Sequence, residues 1–205
     1  NSLIITIPTV IGTLFLSSLA GYSLAMHRFK LNLLVFAMFI AGNFVPYQIL
    51  MIPVRNISIE LGMYNSHMGL IIFHIAFQTG FCTFFLRNFI KELPFELIEA
   101  ARADGATEWT IYRKIIIPLT IPALAALGVL EFTFIWNDYF WALILTQGDT
   151  VKPITVGLDV LRGQWTTAWN LVSAGSVVAA LPPVIMFFIL QRQFIQGLTF
   201  GAVKG

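Results

Sequence analysis

Five stretches of about twenty apolar residues, at 3–26, 33–52, 68–86, 119–145 and 171–190, leave this 205-residue chain few folds to choose from. A helix needs on the order of 20 residues to cross a hydrocarbon core of about 30 Å, and in lipid every backbone polar group must be satisfied within its own segment. Composition points the same way. The chain is 58% hydrophobic and 11% charged, where a soluble domain has roughly a quarter of its residues charged. The expected fold is an all-α integral membrane protein, one transmembrane domain over 1–205 with about five transmembrane helices.

The few charges alternate with these spans. Arg28 and Lys30 lie between spans one and two, Arg87, Lys91, Arg102, Arg113 and Lys114 between three and four, and Arg192 and Lys204 after the fifth. The opposite loops hold only Arg55, Lys152 and Arg162. Short loops rich in Lys and Arg stay cytoplasmic. The loop 87–118 and the tail 191–205 are therefore expected to face the cytoplasm, with Asn1 outside. The net charge of +2 reflects this bias; no basic face with base-reading motifs points to nucleic acid.

Several chemistries find no support. Cys82, the lone cysteine, sits in an apolar span and forms no intrachain disulfide or cysteine metal cluster. His27, His67 and His74 are scattered without zinc spacing. There is no phosphate-binding G-x-x-x-x-G-K-[ST] loop, so ATP, if it drives this protein, is expected to be hydrolysed by another subunit. The first span lacks the basic start and small-residue cleavage pattern of a signal peptide. The chain opens on Asn and is expected to have lost upstream sequence.

The polar island 87–118 carries nearly half of all charged residues. Pro94 suits the start of a short helix and Gly105 the left-handed position that ends one. At about 100° per residue, Leu93, Leu97, Ile98, Ala100 and Ala101 share one broad face, with Glu92, Glu96, Glu99 and Arg102 opposite. Ala100, Ala101 and Ala103 leave little bulk beside Glu99, which suits close approach of another protein. Beyond Gly105, Thr107 is placed to cap a second short helix through Trp109 and Tyr112, with Glu108 at its positive end. The plainer alternatives are an interfacial helix pair on lipid headgroups and an intrahelical pair of Glu99 with Arg102.

Glu99, Ala100 and Ala101, then Gly105 four residues on, then Ile115, Ile116, Ile117 and Pro118, closely resemble the EAA signature of permease subunits in ABC importers. TIPTVIGTLFLSSLAGYSLA in span one, WND at Trp136 to Asp138 and the C-terminal QGLTFGAVKG extend the resemblance to carbohydrate-importer permeases of the maltose-transporter, MetI-like type. Ile117 stands where that family usually has Leu. The resemblance implies a heterodimer with a second permease, a cytoplasmic ABC ATPase dimer that binds ATP and Mg, an external sugar-binding protein, and location in the inner membrane of a prokaryote. It implies no cofactor or metal in this chain. It makes 87–118 the coupling loop that docks on the ATPase, through Glu99, Ala100, Ala101, Asp104, Gly105, Ile115 and Pro118, and lays 197–205 against the same partner. Family members usually carry one more N-terminal helix, missing here. The implied substrate is an oligosaccharide, a disaccharide, a polyol or a glycerol phosphate.

Polar residues inside the spans are candidates for the translocation path, since exposing an ionisable group to lipid costs on the order of 3 kcal/mol. Glu131, Asn137 and Asp138 lie in span four, with Glu131 and Asp138 seven apart on one expected face. Trp136, Tyr139, Phe140 and Trp141 offer flat surfaces suited to sugar rings. Asn43 and Gln48 flank Pro46 in span two. Against this stand an interfacial aromatic belt and a simple capping role for Asn137 and Asp138. Rival functions are an ion-coupled secondary transporter using Glu131 and Asp138, which would typically show an internal repeat of spans, and a non-transporting membrane scaffold.

Overall fold

The computed structural model describes residues 1–163 and 167–199, as backbone alone from 193 onward. Helices dominate, and an isolated bridge between Arg162 and Thr167 is the extended pairing found among the described residues. Ten α-helices follow in order: α1 Ser2–Met26, α2 Asn32–Ala41, α3 Met51–Glu60, α4 His67–Lys91, α5 Phe95–Ala103, α6 Glu108–Ile111, α7 Ile117–Trp136, α8 Phe140–Leu145, α9 Ile154–Val160 and α10 Trp169–Thr199. Among the described residues, four helical stretches are long and apolar enough to cross a membrane, at Ser2–Met26, His67–Lys91, Glu108–Trp136 and Trp169–Arg192. A fifth crossing requires the bent pair Asn32–Phe44 and Tyr47–Glu60 to act as one.

Two expected spans are redrawn. Span two is not a continuous helix: α2 tightens into a 3-10 turn at Gly42–Phe44, breaks at Val45 and Pro46, and resumes through a second 3-10 turn at Tyr47–Leu50. Pro46 lacks the N–H a continuing helix needs, and a proline disfavours helical geometry in the residue before it. Span four is displaced toward the N-terminus. It begins at Glu108 and ends at Trp136, with α6 running through a π-helical turn at Tyr112–Ile116 directly into α7. The second short helix expected after Gly105 is thus the first turn of a membrane helix. The wider π turn ends just before Pro118, and its extra residue accommodates a side chain that cannot donate to the ladder and would crowd the carbonyl four residues back.

The chain divides into two compact units. One comprises Asn1–Gly12, Val45–Ala76 and Val129–Ile189. Its interior takes Ile5, Thr6 and Thr9 from α1, Leu70 and His74 from α4, Glu131, Phe132, Ile135 and Trp136 from α7, and Trp141 and Leu145 from α8. The Trp136 indole N–H donates to the Ala179 carbonyl at 2.9 Å, which pins α10 by a group that would otherwise be unsatisfied. Asn65, at φ 56°, accepts from the N–H groups of Gln147 and Gly148 at 2.9 Å each and so holds the turn before α4 on the connection after α8.

The other unit comprises Thr13–Phe44, Phe77–Gly128 and the chain from Leu190. Leu86, Ile90 and Leu93 recur at helical spacing along and just past α4 and pack with Ile98, Ile111, Tyr112 and Ile116. Gly21 allows α1 to lie close on α4, because a Cβ there would stand 3.1 Å from the Arg87 nitrogen. Small residues at such crossings let helix backbones approach where lipid supplies no hydrophobic drive between helices.

Candidate functional site

The polar island forms a short helix, a sharp turn and the start of a long helix. Pro94 precedes α5 with its φ of −58°, and Glu96 lies in the first turn and Arg102 in the last, each favourable to the helix dipole. Gly105 takes φ 78°, the left-handed geometry expected of it. Thr107 caps α6, its hydroxyl accepting from the Thr110 N–H at 3.3 Å.

The broad apolar face predicted for α5 divides in two. Ile98 is buried and Ala101 half-buried against the core, whereas Phe95, Leu97 and Ala100 are exposed together with Glu96, Glu99 and Ala103. The arc is wider than the core can take up. What remains outside is a shallow surface of two apolar side chains, two alanines and two carboxylates, beside the exposed Asp104 and Gly105. Ile115 is half-buried and Pro118 exposed, one on the π turn and one just beyond it.

Arg102 pairs with Glu108 rather than with Glu99. Its Nε donates to Glu108 Oε1 at 2.9 Å and a terminal nitrogen to Oε2 at 3.3 Å. The hydrogen bond to Glu108 holds the Arg102 guanidinium above its ordinary range. Oε2 also accepts the Tyr22 hydroxyl at 2.5 Å, and His27 Nε2 lies 3.4 Å away. Tyr22 in turn leans on Tyr112, whose hydroxyl is 2.6 Å from that of Ser18. An exposed ion pair contributes only about 0.2–1 kcal/mol, so the interest of this cluster lies in what it positions. Sequence spacing did not indicate it. Tyr22 and Glu108 are 86 residues apart and His27 had no neighbour to mark it.

The path candidates are placed as follows. Asn43 is exposed in the 3-10 turn after α2 and donates to the Phe39 carbonyl at 3.0 Å, and Gln48 is exposed in the 3-10 turn before α3. Glu131 is fully buried in α7. Asn137 and Asp138 lie past the end of α7, so Asp138 does not share a helical face with Glu131. Asn137 donates to the Thr133 carbonyl at 2.9 Å. Asp138 accepts from the N–H groups of Trp141 and Ala142 at 3.2 and 2.9 Å, capping α8, and stands 3.5 Å from buried His74. These two and Ser2, Thr6 and Pro153 border a small cavity. Of the aromatics, Trp136 and Trp141 are buried against Phe132 and Phe73, which spends their faces within the protein, while Tyr139 is exposed and donates to Asp159 at 2.7 Å. Among the described residues no cluster of His, Cys, Asp and Glu could hold a metal.

Residues 13–200 match the family described as binding-protein-dependent transport system inner membrane component. The chain belongs to this family. The permease is 39% identical to a probable ABC transporter permease protein of Pyrococcus horikoshii over 91% of this chain and 68% of the relative. It is 37% identical to an arabinooligosaccharides transport system permease protein of Halalkalibacterium halodurans, over the whole of this chain and 73% of the relative. Among solved structures, a bacterial ABC transporter involved in the import of the acidic polysaccharide alginate superposes with a TM-score of 0.76 over 95% of this chain and 72% of that one, at 23% identity, a likeness of fold. The protein is thus the membrane-spanning permease subunit of an ABC importer, and ATP hydrolysis belongs to a separate subunit. The ion-coupled transporter and the scaffold are set aside by this membership. The tail 197–205 falls largely outside the described residues.

Proposed function

We propose that this permease imports a carbohydrate and that α5 is its coupling helix, docking on a cytoplasmic ABC ATPase dimer that binds ATP and Mg. The observation that carries the docking role is the exposed surface of α5. Phe95, Leu97 and Ala100 are apolar side chains left outside the core in a segment too polar to lie in lipid, with Glu99 beside them. Glu99 is free of Arg102 for a charge-assisted bond to a basic or amide group of the partner. Gly105 presents the helix by a left-handed turn that glycine adopts without strain.

The sugar class is supported by relatives whose names specify one, the arabinooligosaccharides permease among them. Oligosaccharides, disaccharides, polyols and glycerol phosphates all remain within it. The positive-inside distribution supports a cytoplasmic 87–118 and C-terminal tail. A second permease in a heterodimer and an external sugar-binding protein complete the assembly, and Asn43, Gln48, Glu131, Asn137 and Asp138 are proposed to line or brace the path.

Copurification of the full-length tagged protein from membranes, followed by ATPase assay, tests the coupling role. An ATPase subunit is expected to copurify with the wild type and to respond to the binding protein. Glu99→Ala is expected to weaken that response, and Gly105→Pro to abolish it while leaving the chain in the membrane, because proline cannot adopt positive φ. A solitary protein, or variants that respond like the wild type, would overturn the proposal.

A further inference from the structure

We infer that the Glu108 carboxylate is the strut that passes displacement of α5 on to α1, making Glu108 and Tyr22 positioning residues for coupling; this rests on the reading of α5 as the docking helix. Three separate pieces of chain converge on that one carboxylate. The last turn of α5 contributes the Arg102 fork, at 2.9 and 3.3 Å. The end of α1 contributes the Tyr22 hydroxyl, at 2.5 Å, and the connection leaving α1 contributes His27 at 3.4 Å. Glu108 itself is the first residue of the helix that continues into α7.

The arrangement is directional. A guanidinium fork meets a carboxylate in one plane, so a shift of Arg102 carries Glu108 with it or breaks two charge-assisted bonds. The Tyr22 hydroxyl must then follow or lose its acceptor. One helical turn earlier on the same side of α1, Ser18 is bonded to Tyr112 at 2.6 Å, which ties a second point of α1 to the same segment. Tyr22 and Tyr112 also tilt against each other with ring centroids 5.5 Å apart. Tyr22 is buried and Tyr112 is buried, so neither ring is free to swing clear of the other.

The experiment uses the whole complex in nanodiscs, with Cys82 replaced by Ala and one cysteine introduced at a time for maleimide labelling. Ala103→Cys, exposed on α5, reports docking by its protection when the ATPase is bound. Ser23→Cys, exposed on α1 next to Tyr22, reports transmission by the change in labelling rate when ATP and vanadate trap the ATPase. The trap is expected to change Ser23→Cys labelling several-fold in the parent. Tyr22→Phe and Glu108→Ala are expected to keep Ala103→Cys protected and basal ATP hydrolysis, without binding protein, within about twofold, yet to cut the Ser23→Cys change by more than half. Glu108→Gln, whose single amide oxygen can still accept from Tyr22 and one Arg102 N–H but whose NH2 replaces the acceptor of the other, is expected to restore only part of it. An unprotected Ala103→Cys in the parent would remove the docking role and this inference with it. Protection together with a Ser23→Cys response that is absent from the parent, unchanged in Tyr22→Phe and Glu108→Ala, or lost only in proportion to ATP hydrolysis, would overturn the inference alone.

Discussion

Gly105 and Asp138 show how differently single residues announce themselves. A left-handed turn between two helices has few solutions, so the glycine at φ 78° was readable in the sequence from its place after a short amphipathic run. An L-residue with a β-carbon pays roughly 1–2 kcal/mol in that region, whereas Asn visits it readily. Trypsin cleavage at Arg102 in native membranes is therefore expected to be unchanged in Gly105→Asn and clearly faster in Gly105→Val. Asp138 was readable only as one of two alternatives, a path residue or a cap, because capping depends on where a helix restarts and Asp138 looked like part of one long span. Its carboxylate accepts from two N–H groups at the start of α8. Asp138→Ala is expected to cost on the order of 1–2 kcal/mol, seen as a lower unfolding temperature of the purified complex, while Asp138→Asn keeps one acceptor and loses less. Equal temperatures for the two variants would speak against capping as the main structural role.

Among the elements, the helix that begins at Glu108 and runs to Trp136 ties the polar loop to the membrane. Its π turn at Tyr112–Ile116 inserts one residue beyond regular α spacing, and a residue is about 100° of helix rotation. Deleting the exposed Lys114 is expected to convert this turn to regular helix, leave insertion intact and rotate α6 so that Glu108 no longer meets Tyr22. The predicted readout is normal membrane yield with loss of the ATPase response to binding protein; a normal response would mean the register of α6 is unimportant. Periodicity and apolar length made most spans legible, since α1, α4 and α10 need no partner to declare themselves. The failures have two causes. Where Pro46 breaks the second span and where α7 stops at Trp136 before α8, the apolar run continues through the irregularity and hydropathy reads across it, whereas at the π turn Arg113 and Lys114 interrupt the run and hide the true start of the helix. Contacts such as Tyr22 with Glu108 join residues distant in sequence, and no local pattern encodes them.

For the molecule as a whole, charge predicts an orientation that can be tested without knowledge of the substrate. Asp149 lies on the exposed connection between α8 and α9, where its carboxylate takes the Lys152 ammonium at 2.9 Å. Ala103 is exposed on α5. If basic loops are retained inside, the two face opposite sides of the membrane, and a maleimide that cannot cross lipid separates them in intact cells. Asp149→Cys is expected to label from outside, and Ala103→Cys only after the membrane is opened. The native thiol contributes no background at the surface, because Cys82 is fully buried. Labelling of Ala103→Cys in intact cells would invert the topology and place α5 on the wrong side for an ATP-hydrolysing partner, so that docking would fail with it. A membrane location also accounts for the bareness of α10 over Trp169–Arg192, where 6% of the most apolar 18-residue window is buried. A helix so bare in water would be an aggregation site, but within a membrane its Val177, Val178, Ile185 and Phe188 lie in the solvent they suit.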